Sequence, residues 1–152
     1  MKRNLLLIFL IIIMSLSVVG CSTEKSTNED SISYNVLSEN NLNEDIQASL
    51  DYIKELRGYG IIKEKDNNYI MYIGLGEKAT GGYSIKIKSV EKIKKGLKIT
   101  INEIKPKDNQ MVTETLTYPN ILIEIPKNID INNINVITTD GEQLPNINKE
   151  NE

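Results

Sequence analysis

Few residues in this 152-residue chain can do covalent or proton-transfer chemistry. Histidine is absent, so a Ser-His-Asp triad, a Cys-His dyad and an imidazole metal site all lack their base or ligand. A single cysteine, Cys21, excludes an internal disulfide and a thiolate zinc cluster. The carboxylates Glu77, Asp108 and Glu114 stand in polar stretches, and nothing pairs them as one acid and one base. Ser84 and Lys86 sit two apart on an alternating stretch and form a hydroxyl–amine pair, which reads as a solvated stripe. The expectation is a chain that is not an enzyme, with no cofactor and no metal. A net charge of −3 and a pI near 5.2 also argue against a nucleic-acid partner.

The chemistry that remains lies at Cys21. Lys2 and Arg3 precede ten uninterrupted apolar residues, Leu5 to Met14, and Gly20 stands directly before the cysteine. At about 1.5 Å per residue this run is short for a hydrocarbon core of about 30 Å, so it reads as a secretory signal. Val18-Val19-Gly20-Cys21 resembles the lipobox of bacterial lipoproteins. The resemblance implies cleavage after residue 20 and a diacylglycerol on the Cys21 sulfur, giving a membrane anchor through two acyl chains. Loss of Lys2 and Arg3 would take the net charge from −3 to −5. Lysine outnumbers arginine 16 to 2 beside abundant Ile and Asn, a pattern that fits a low-GC Gram-positive source. The expected location is the outer face of the bacterial cytoplasmic membrane.

The elements that must position any further site follow from hydrophobic period. Residues 21–33 are the lipidated cysteine and a polar tether with almost nothing to bury. Tyr34 to Leu37 reads as a strand. Asn41, with Glu44 three residues on, reads as the cap of a helix over 42–57 whose stripe is Ile46, Leu50, Ile53 and Leu56. Gly58 and Gly60 read as its stop signals. From Tyr69 to Leu75 the chain is apolar on both parities, as a central strand requires. Tyr83, Ile85 and Ile87 alternate with polar residues, as do Leu97, Ile99 and Ile101, and Lys94-Lys95-Gly96 joins the two runs as a hairpin. Ile104 breaks parity and marks a bulge or a strand end. Ile121, Ile123 and Ile125 form a strand closed by Pro126, and residues 133–139 form a weaker last one. The fold class is mostly β (α+β), a small antiparallel β-sandwich or sheet with one packed amphipathic helix. The domain spans 34–144, with a strand and helix over 34–62, a core over 69–127 and a disordered tail at 145–152.

One loop stands out. Gly74-Leu75-Gly76-Glu77-Lys78-Ala79-Thr80-Gly81-Gly82-Tyr83 carries four glycines, yet it leads into a strand and lacks the Gly-Lys-Ser/Thr of a phosphate cradle. Glycine content alone describes a hairpin turn. Gly76 to Ile85 resembles the Gly-Glu-Lys-Pro-Thr-Gly-Gly-Tyr motif of the C-terminal domain of protease complex subunit PrcB, with Ala79 where the family carries proline. Val112 to Pro119 (VTETLTYP) resembles that family's Thr-Tyr-Pro stretch. The resemblance implies a non-catalytic extracytoplasmic lipoprotein that binds and stabilises a secreted or cell-surface protease complex. It makes Gly76, Glu77, Lys78, Thr80, Gly81, Gly82 and Tyr83 the partner-binding residues. Thr80, Gly81 and Tyr83 also resemble, more loosely, the inhibitory loop of chagasin-type cysteine-protease inhibitors, which implies direct inhibition as an alternative. A third reading comes from residues 86–107, where eight lysines face two glutamates. That stripe could meet anionic lipid or wall polymer, or could simply protect a sheet edge.

Overall fold

A computed structural model of the chain describes residues 32–94 and 96–149. Cys21, the apolar leader and the tether up to residue 31 lie outside the described residues. Among the described residues seven strands form two sheets. In the first, β1 (Asn35–Leu37), β6 (Asn120–Pro126), β3 (Asn68–Leu75) and β2 (Arg57–Glu64) lie side by side in that order, every neighbour antiparallel. In the second the order is β4 (Ser84–Ile93), β5 (Gly96–Ile104) and β7 (Ile134–Thr138). Helix α1 (Glu44–Ile53) covers the outer face of the first sheet.

Strand β3 explains the architecture. It is central in its sheet, and its two faces go to two cores. Met71, Ile73 and Leu75 meet Leu97, Ile99 and Ile101 of the opposite sheet. Ile70 and Tyr72 point the other way, to Ile46 and Leu50 of α1 and to Ile147. Both faces are dry, which is why the strand is apolar on both parities. Each such side chain contributes about 1.5–3 kcal/mol on leaving water. The mostly-β sandwich with one packed helix is as expected from the residue pattern.

Several boundaries differ from expectation. The helix is shorter than 42–57: Asn43, not Asn41, caps it, its side chain accepting from the Ile46 amide at 3.0 Å. Residues 39–41 form a 3₁₀ turn instead, so Glu44 opens the helix and makes no capping box. Ile46 and Leu50 are buried as the stripe requires, while Leu56 lies beyond the helix and is 45% exposed. Gly58 and Gly60 do not stop the helix; they lie inside β2, a strand absent from the sequence reading. Their role is close approach. A Cβ at Gly58 would stand 2.6 Å from the Pro145 carbonyl oxygen, and one at Gly60 would stand 2.7 Å from Ile147.

The same contact corrects the tail. Residues 145–148 run along β2: the Tyr59 amide donates to Pro145 (2.9 Å) and the Ile147 amide donates to Tyr59 (2.9 Å). Asn148 continues the pairing with its side chain, accepting from the Ile61 amide at 2.7 Å and donating to the Ile61 carbonyl at 3.2 Å. Ile147 is buried. The domain therefore extends at least to Lys149, the last described residue of that segment.

The hairpin over β4 and β5 forms as expected, and β5 ends at Ile104. Its bulge lies between Ile87 and Ser89, so Val90 takes over the inward side from Ile85 and Ile87. Strand β7 pairs parallel to β5, so the second sheet is mixed rather than purely antiparallel.

Candidate functional site

The glycine loop is not a hairpin turn. β3 and β4 belong to different sheets, so residues 76–83 are a crossover between the sheets. Residues 105–119 make the return crossing, from β5 to β6. The two crossings pair with each other. Lys78 and Thr117 exchange both backbone hydrogen bonds at 2.9 Å, and the Gly81 amide donates to Thr113 at 2.9 Å. The Thr117 hydroxyl donates to the Thr80 carbonyl at 2.8 Å. The two motifs of the sequence are thus one structure, a zipped pair of crossings that fixes how the sheets stack.

Glycine is required there for contact. Gly82 has φ +89 and lies against Pro106 and Val112, 3.1 Å from a built Cβ. At Gly81 a Cβ would stand 2.5 Å from the Thr113 hydroxyl. Both residues hold the second crossing and are not a free fingertip.

Lys78 is turned into a charge cluster that sequence reasoning missed. Its Nζ stands 3.8 Å from Glu103 and 5.4 Å from the Tyr83 ring centroid. Arg57 of β2 reaches the same Glu103 at 3.1 Å and Glu142 at 2.9 Å, so the cluster ties the first sheet to the second. Partial burial works against the Arg57 charge, but bonds and charges from Glu142 and Glu103 outweigh it and hold the guanidinium above its ordinary value. Arg57 carried no signal in the sequence because it looked like the last residue of a helix.

On the other side of the crossings, the Tyr118 hydroxyl donates to Glu77 at 3.4 Å, and Lys54 lies 5.6 Å from the Tyr118 ring centroid. Desolvation, with the negative charges of Glu77 and Glu55, raises the Tyr118 phenol above its ordinary value, and Lys54 opposes them.

The expected partner-binding residues therefore divide. Glu77 and Gly82 are exposed; Lys78, Thr80, Gly81 and Tyr83 are half-buried; Gly76 is buried at the start of the crossing with φ +70. Exposed apolar groups on the return crossing join the first two: Met111 is 98% exposed and Leu116 53%. Both are apolar side chains inside a polar stretch, which is the signal that could have found them. Lys86 and Lys88 are exposed on β4, an edge strand. Among the described residues no three His, Cys, Asp or Glu side chains gather as metal ligands.

Fold and site together define a small β-sandwich domain whose sheets are joined by three crossings, two of them interlocked. Residues 69–126 match the family described as PrcB C-terminal. The match runs from β3 to the end of β6 and takes in both crossings. That segment is therefore similar to the PrcB C-terminal domain. No curated protein and no solved structure matches the chain.

Proposed function

We propose that this chain is a non-catalytic lipoprotein, anchored through Cys21 on the outer face of the cytoplasmic membrane, that binds and stabilises a secreted or cell-surface protease complex. The single observation that carries the reading is that the family match encloses the zipped crossings. A rigid loop pair on a sandwich is the usual platform for recognition. The contact surface is Glu77 and Gly82 on one crossing with Met111 and Leu116 on the other, all exposed. Lys78, Gly81 and Tyr83 hold that surface from beneath. Direct inhibition by insertion of the glycines into a protease cleft is the weaker reading, since Gly81 and Gly82 already contact Thr113, Pro106 and Val112.

The test is capture with the full chain from its own cells, followed by deletion of the gene. Recovery of an identified extracytoplasmic protease, with shorter lifetime of that protease in the deletion strain, supports the reading. Recovery of none, with every secreted protease unchanged on deletion, defeats it. Mass spectrometry of the captured chain also reads Cys21: an unmodified thiol on a chain retaining residues 1–20 would contradict the anchor.

A further inference from the structure

Strand β4 is an edge of the second sheet, and the chain enters the domain beside it: the Ile32 amide donates to the Val90 carbonyl at 3.2 Å. We propose that the β4 side of this sheet lies on a bilayer surface rich in anionic phospholipid, with Lys92-Ile93-Lys94 set among the headgroups. The inference rests on the reading that Cys21 is the anchor.

Charge on this side is unbalanced. Ile85 and Ile87 pack on the core, so Lys86 and Lys88 between and after them stand outside. Lys92 and Lys94 are exposed as well, and Lys98 is half-buried on β5. Among the described residues none of these five lysines is in an ion pair. The one acid on β4, Glu91, faces Lys98 across the register and accepts from the Ser89 hydroxyl at 2.7 Å. On the first sheet the cations are engaged instead: Arg57 by Glu103 and Glu142, Lys63 by Asp45, Lys65 by Glu124. A cluster of unpaired lysines on an otherwise acidic chain favours an anionic surface.

Position and shape agree with that charge. Ten residues, 22–31, separate Cys21 from Ile32, and even fully extended they reach at most about 40 Å. Strand β4 itself covers about 30 Å. An anchor at Cys21 therefore keeps the lysine-bearing edge within reach of the headgroups, while α1 covers the opposite face of the sandwich. Ile93, between two lysines, is 40% exposed. Protection of a sheet edge needs charge but no bare isoleucine. An apolar residue with cationic flanks suits the boundary between headgroups and acyl chains.

The experiment uses the ¹⁵N-labelled full chain isolated from the membranes of cells that express it. It is placed in nanodiscs of phosphatidylcholine alone or with about 30% phosphatidylglycerol, each doped with a gadolinium-chelating lipid. With phosphatidylglycerol the amide signals of Lys86, Lys88 and Ile93 should lose at least about half their intensity, while Asp51 and Tyr52 of α1 keep theirs. This contrast between the two faces should shrink at least about threefold in phosphatidylcholine alone, and likewise in about 0.5 M NaCl. The variant Lys86→Glu/Lys88→Glu/Lys94→Glu, changed only at exposed positions, should lose the contrast and keep its thermal midpoint. Ile93→Ser should weaken the contrast and leave its salt dependence in place. Equal loss at β4 and α1, or a contrast indifferent to lipid charge and salt, would overturn the assignment. So would β4 shifts caused by soluble polyglycerol phosphate with none from the charged discs, which would give this face to a wall polymer. Mass spectrometry of the same sample reads the anchor separately. An unmodified Cys21 with the contrast intact defeats the anchor alone; a diacylated Cys21 with no contrast defeats the surface alone.

Discussion

Two glycine pairs, Gly58/Gly60 and Gly81/Gly82, look alike in sequence and do the same kind of work with different partners. Both read as punctuation, one as a helix stop and the other as a turn. Neither is. Gly58 and Gly60 lie in a strand and make room for residues 145–148, while Gly81 and Gly82 make room for residues 106–113. In the first pair Gly58 approaches backbone, the nearest atom to a Cβ there being the Pro145 carbonyl oxygen, while Gly60 faces the side chains of Asn148 and Ile147. At Gly81 the obstacle is the tip of a side chain, the Thr113 hydroxyl. A glycine set against backbone is hard to replace by compensation, and one set against a hydroxyl can be rescued.

The largest expected effect follows from the first pair. Gly58→Val should cost about 3 kcal/mol in chemical denaturation, because the chain there has φ +152 and the tail must leave. Hydrogen exchange should then show loss of protection at Tyr59 and Ile147, and shortening Pro145 or Ile147 side chains should restore little. Unchanged stability would break the comparison.

Gly81→Ala is next, at about 1–2 kcal/mol. The double variant with Thr113→Ala should recover at least half of that loss, read as a coupling energy in a double-mutant cycle. Strict additivity would show that the crossing tolerates no repacking.

Tyr72 sharpens the Gly58 side. Its hydroxyl donates to the Leu56 carbonyl at 2.8 Å and braces the turn that leads into β2. Burial pushes this phenol up to about 12 from an ordinary value of 10.0. The folded form favours the neutral phenol, so its contribution is complete below pH 10 and fades as pH rises toward 12. Tyr72→Phe should lose about 1 kcal/mol at neutral pH. Its stability should then fall less steeply than that of the wild type in this alkaline window. An identical alkaline profile for the two would contradict the assignment.

The smallest effect belongs to the crossing's charge. Lys78→Met should cost only about 0.5 kcal/mol, since one distant ion pair near the surface contributes little. A thermal midpoint that is insensitive to salt in the variant and salt-sensitive in the wild type would confirm the small electrostatic share.

Legibility in the sequence followed the same division. Strands with clean period-2 alternation were visible as such: Leu97, Ile99 and Ile101 are all buried, and Ile123 and Ile125 close the same core. The two-faced run at 69–75 correctly announced a central strand. What could not be read were contacts between distant segments. Nothing in Gly58-Tyr59-Gly60 says that Pro145 to Asn148 will lie on it, so β2 dissolved into a helix end and the tail into disorder. The crossings were found as motifs but not as partners, because hydrogen bonds such as Gly81 to Thr113 join backbones and leave no mark on side-chain pattern. Arg57, Glu103 and Glu142 come together only through the stacking of the sheets.

The central claim is that the zipped crossings form the face that meets the protease complex. Met111 and Leu116 allow a direct test, since both are exposed and neither belongs to the core. The measurement is capture of an identified secreted protease by the full chain and by the double variant Met111→Asp/Leu116→Asp, with thermal midpoints compared in parallel. The account predicts equal midpoints and at least about a tenfold loss of captured protease. Equal capture by the two chains, or a protease held only through the β4 lysines and released by salt, would contradict it.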